Sequence, residues 1–139
     1  MNLSMKWILV LGAAVLLLCA AGCTQPSPEE AEAQLCADLA KLDAALQEYD
    51  ALDENATLAE VRAAQDNVTS AWSDVRDSAQ ARRDVNVDQL DAAYNDLENA
   101  VNDLPEDITI AEARTQLQPQ IDAVKQALQQ VFSSANCGT

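Results

Sequence analysis

Four times in this chain a helix start signal is followed by apolar residues at alternating spacings of three and four. Ser27-Pro28-Glu29-Glu30 offers an N-cap serine, proline at the first helical position and glutamate at the third. Thr57-Leu58-Ala59-Glu60 and Thr109-Ile110-Ala111-Glu112 are capping boxes, in which hydroxyl and carboxylate satisfy each other's backbone donors. Asn86-Val87-Asp88-Gln89 is a weaker version, with Val85 and Leu90 at staple positions. The stripes that follow are Leu35, Leu39, Leu42, Leu46 and Tyr49, then Leu58, Val61, Val68, Trp72, Val75 and Ala79. The third is Val87, Leu90, Tyr94, Leu97, Val101 and Leu104, and the fourth Leu117, Ile121, Val124, Leu128 and Val131. Each stripe covers one face of a helix, so each helix needs partners to bury it. Gln65 interrupts the second stripe. Pro119 lies inside the fourth segment, where its missing N–H predicts a kink or a restart.

The chain also repeats itself. Leu42-Asp43-Ala44-Ala45 recurs as Leu90-Asp91-Ala92-Ala93, and Thr57-Leu58-Ala59-Glu60-Val61-Arg62 as Thr109-Ile110-Ala111-Glu112-Ala113-Arg114. Two helix–loop–helix hairpins joined near residues 82–86 would explain both, with chance similarity between alanine-rich helices as the alternative.

Composition narrows the function. Histidine is absent, glycine is scarce, and the formal charge is -15. No basic stripe exists to neutralise phosphates, which argues against nucleic acid as a partner. Without histidine there is no histidine-based triad and no Glu-x-x-His di-metal site. No Gly-rich phosphate loop or Gly-x-Ser-x-Gly elbow is present either. The chain reads as a non-enzyme, with no metal site and no cofactor expected.

An apolar run from Trp7 to Leu18 follows the early cation Lys6 and closes in Leu18-Cys19-Ala20-Ala21-Gly22-Cys23. The run has the length of a signal-peptide core and is short for a bilayer-spanning helix. The small residues leading into Cys23 resemble the lipobox of bacterial lipoproteins, with Ala20 where that family most often has Leu. The resemblance implies cleavage before Cys23, acylation of its thiol and attachment to a membrane by lipid. Residues 1–22 are then the signal, 23–27 the lipidated cysteine and a short tether, and 28–139 the helical domain. Thr24, where enterobacterial-type lipoproteins retained at the inner membrane carry Asp, implies the outer membrane in a Gram-negative host. In a host with one membrane the anchor would sit on the outer face of the cytoplasmic membrane. The mature part resembles uncharacterised small helical envelope proteins with cysteines near both ends, a likeness that implies no activity.

If lipid consumes Cys23, the remaining mature cysteines are Cys36 and Cys137, in a compartment that permits disulfides. Their pairing is expected; two structural free thiols are the alternative, and metal ligation a more remote one. The pair also discriminates between topologies. Cys36 lies early in the first helix and Cys137 just beyond the fourth, so an antiparallel up-down four-helix bundle puts both at one pole. An ordinary three-helix bundle would separate them. A three-helix arrangement with one long middle helix, from Thr57 to Asp103, also permits the bridge but buries less core.

Three groups invite a functional reading. Asp50, Asp53 and Glu54 with Asp103, Glu106 and Asp107 gather at the two equivalent loops, where they could meet a cation or a basic partner or simply face water. Arg82-Arg83 could face phospholipid head groups, or close the second helix against its dipole. Trp72 belongs with the core on its stripe, with ligand stacking as the alternative. The expectation is a lipid-anchored envelope protein with a structural or protein-interaction role and an envelope protein as partner. The alternative is a module that binds a small molecule or divalent cation in the bundle interior or at the acidic pole.

Overall fold

The computed structural model describes residues 25–138. The lipobox-like segment and Cys23 lie outside the described residues. Four helices follow one another: α1 (Pro28–Asp50), α2 (Leu58–Gln80), α3 (Asp88–Asn102) and α4 (Ile110–Ser134). They form an all-α, antiparallel up-down four-helix bundle, with α1 against α2, α3 against α4, and α1 against α4 closing the ring. Residues 81–87 separate α2 from α3, so there is no long middle helix.

Local chemistry sets the ends of these helices. Ser27, Thr57 and Thr109 each accept a hydrogen bond from the backbone N–H three residues on, and Glu30, Glu60 and Glu112 answer with a carboxylate to the cap N–H. At α3 the cap is displaced by one residue. Val87 holds the boundary position and has no side chain that can accept, while the Asn86 Oδ1 accepts from the Asp88 N–H at 2.8 Å. At the far end of α4, Asn136 adopts a left-handed φ of 57° and the Cys137 N–H donates to the Phe132 carbonyl at 3.0 Å. This Schellman-type turn reverses the chain after α4. It carries Cys137 back to α1, where it forms a disulfide with Cys36, Cα atoms 5.3 Å apart across 101 residues of sequence.

The stripes read from the sequence line the core, and Leu35, Leu39, Leu46, Leu90, Leu97, Val68, Val75 and Val124 are completely buried. Full burial of each such side chain contributes about 1.5–3 kcal/mol before ordering entropy is charged against it. Alanines complete the interface: Ala31, Ala45, Ala64, Ala71 and Ala79 are buried in the first hairpin, where short side chains let α1 and α2 approach closely. Trp72 is a core residue, 2% exposed, its ring centroid 5.8 Å from that of Tyr94.

Pro119 causes no restart, because α4 is continuous through it. Pro119 and Thr115 both face solvent, so water can satisfy the carbonyl that the missing N–H leaves open.

Around their loops the hairpins repeat at a displacement of 52 residues, as from Thr57 to Thr109, although α3 is shorter than α1. Loop hydrogen bonds repeat at that interval: Ala51 N–H to Gln47 O and Asp103 N–H to Asn99 O, then Ala56 N–H to Asp53 O and Ile108 N–H to Pro105 O. The shared Thr-x-Ala-Glu segments therefore occupy equivalent places. The shared Leu-Asp-Ala-Ala segments, displaced by 48 residues from Leu42 to Leu90, do not. Leu42 corresponds to Tyr94, and Leu90 to Asp38. That part of the sequence repeat is one helical turn out of structural register.

Candidate functional site

At the pole where α1 begins and α4 ends, the disulfide is joined by a buried arginine. Arg82, only 9% exposed, places Nε and Nη2 on the two carboxylate oxygens of Asp84, at 2.9 and 2.8 Å, and Nη1 on Glu32 at 3.1 Å. The Arg82 hydrogen bonds hold the Asp84 carboxyl at about 2. The fork–fork contact with Asp84 stiffens the turn after α2, and the Nη1–Glu32 bond ties that turn to the first turns of α1. Arg82 is thus engaged by two carboxylates of the bundle and nearly buried. Its neighbour Arg83 is the exposed member of the pair.

The opposite pole carries both short loops and all six acidic positions singled out above. Asp50 pairs with Lys125 of α4 at 2.8 Å. Asp53 accepts from the Asn55 N–H at 2.6 Å and Arg114 donates to the Leu52 and Asp50 carbonyls at 2.8 and 3.0 Å. Glu54, Asp103, Glu106 and Asp107 are exposed. Among the described residues no three His, Cys, Asp or Glu side chains converge to hold a metal ion. The acids of this pole therefore do not form a ligand set: Asp50 is drawn to Lys125 and Asp53 to its own turn. Among the described residues no helix is long and apolar enough to cross a membrane.

The interior contains polar atoms that the fold leaves alone. The Tyr49 hydroxyl, both amide atoms of Gln65 and the Trp72 indole N–H are buried and have no hydrogen-bond partner among the described residues. Burial pushes the Tyr49 hydroxyl up to about 12. Gln65 interrupts its stripe, which made it legible in the sequence; Tyr49 and Trp72 are hidden there by their apolar bodies.

One acidic side chain on the first hairpin is buried at a core position that its residue type does not announce. Asp38 is 3% exposed, although it lies between Leu35 and Leu42 at a spacing that belongs to the stripe. Its carboxylate accepts from Gln34 Nε2 and from Lys41 Nζ, both at 2.9 Å. Burial pushes the Asp38 carboxyl up, but the hydrogen bonds from Gln34 and Lys41 outweigh it and hold the group below its ordinary value. Asp38 forms part of a groove of about 790 Å³ between α1 and α2, with Asp74 and Asp77 on the α2 wall and Glu30 and Lys41 on the α1 wall. Ala31, Ala33 and Ala81 make its apolar surface.

Comparison with protein families, curated proteins and solved structures finds no match to this chain.

Proposed function

We propose that the protein is a lipid-anchored component of the bacterial cell envelope, attached through Cys23, with a structural or protein-interaction role carried by its disulfide-closed bundle. The observation that carries this reading is the Cys36–Cys137 bridge. Disulfides persist in oxidising compartments and are rare in the cytosol, so the bridge supports export. It also accounts for the two mature cysteines other than Cys23, the one that follows the lipobox-like residues. The start of α1 at Pro28 is consistent with a tether of only a few residues and a bundle held close to the lipid surface. On this reading the chain has no catalytic role. Its membrane is the outer membrane in a Gram-negative host and otherwise the outer face of the cytoplasmic membrane.

Substituting Cys23→Ala and feeding cells a labelled fatty acid tests the anchor. The unmodified chain should take up label and sediment with membranes, and the variant should take up none. A variant that is labelled and processed like the parent would refute it.

A second reading, a module that binds a small molecule, draws on Tyr49, Gln65 and Trp72, whose unpartnered polar atoms lie in the bundle interior.

A further inference from the structure

We propose that the groove between α1 and α2 is a docking site for a basic segment of a partner protein, whose cations are received by Asp38, Asp74 and Asp77. This deepens the protein-interaction reading above and does not depend on the anchor. The groove extends along α1 from Pro26 to Lys41, roughly 20 Å at the helical rise, and is open to solvent. Its apolar alanine surface and acidic walls suit a segment with small or aliphatic residues on one face and Lys or Arg beside them.

The bundle contains its own control for the charge. A surface of net charge -15 has acids everywhere, so acidity in one groove would mean little alone. Near its loop the second hairpin repeats the first at a displacement of 52 residues, and although its first helix begins only at Asp88, it carries Leu90, Ala93, Gln126 and Gln129 in place of Asp38, Lys41, Asp74 and Asp77. Helix pairing therefore does not require charge at these places. The second hairpin's surface at the same end does hold Asp84 and Asp88, but Asp84 is taken up by Arg82.

Asp38 is the unusual member. A carboxylate at a core position interacts strongly with a cation, because little water screens it. Lys41 now supplies that cation at 2.9 Å and also approaches Asp74 at 3.8 Å, while 59% of its own side chain is exposed. Lys41 is thus a resident stand-in: an incoming ammonium or guanidinium replaces it like for like, and Lys41 swings into water. Acidic walls would also speed the encounter and make it salt-sensitive.

The test is fluorescence anisotropy with the full chain in a non-ionic detergent. The probe is a labelled Ala/Leu helix of about 15 residues bearing Lys at i, i+4 spacing. Saturable binding is expected, weakened about tenfold by Asp74→Asn with Asp77→Asn and strengthened by Lys41→Gln. The double variant Asp96→Asn with Asp122→Asn removes as much charge from exposed positions of the second hairpin and should leave binding within about twofold. Equal weakening by both double variants would reduce the effect to diffuse charge and overturn the proposal. So would absence of saturable binding, or displacement of the probe by spermidine at equal potency, which would assign the groove to small polycations.

Discussion

Gln65 and Leu117 occupy equivalent positions in the two hairpins, both buried, and only Gln65 has polar atoms there, neither of which finds a partner. Leu117 shows what the bundle accepts in that layer. Gln65→Leu should therefore stabilise the protein by about 1–2 kcal/mol, since it removes an unpaired buried amide at similar volume. Tyr49→Phe, which deletes an unpaired hydroxyl, should be neutral or slightly stabilising. Urea denaturation of both variants checks this. Loss of stability in either would mean that a bound water or ligand satisfies these atoms in solution.

The bridge between Cys36 and Cys137 closes a loop of sequence separation 101. In the chain-entropy model such a constraint is worth about 4–5 kcal/mol. The double variant Cys36→Ser with Cys137→Ser should melt about 15–25 °C lower. Reductant should lower the melting of the parent and leave the variant unchanged.

Both loop-side capping boxes should matter alike, because they are copies. Thr57→Ala and Thr109→Ala should each cost about 1 kcal/mol in a denaturant titration, and the two costs should add if the hairpin ends are independent. A neutral effect at one site alone would break the equivalence of the hairpins.

Acid should weaken the fold. Asp38, Glu60, Asp84 and Glu112 all have carboxyls held below their ordinary values, Asp84 at about 2. Groups lowered on folding contribute stability that is fully present above their unfolded values, 3.8 for Asp and 4.5 for Glu. That contribution falls as pH drops through the folded values and is gone below about 2. Asp84→Asn, whose neutral amide does not titrate, should show a smaller loss than the parent over this window when Tm is followed against pH.

Much of this was legible because helices announce themselves locally. Capping boxes at Ser27, Thr57 and Thr109 need only neighbours in sequence, and the leucine stripes need only the helical period. The cysteine pair supplied the long-range constraint that favoured four helices. What escaped depends on partners distant in the chain or on burial by context. Asp38 has the residue type of a surface and the position of a core, and Gln34 and Lys41 decide between them. The pairing of Arg82 with Asp84 lay within two residues and could have been read, but its burial and its bond to Glu32, on another helix, are set by the fold. The Leu-Asp-Ala-Ala repeat misled by one turn, since alanine-rich helices offer similar tetrads in more than one register.

The anchor and the bridge are tested together by the intact mass of the protein extracted gently from the membranes of its own cells. The chain should begin at Cys23, carry acyl groups and lack two hydrogens for the Cys36–Cys137 bridge. A chain that retains residues 1–22, or one bare of lipid at Cys23, would contradict the anchor.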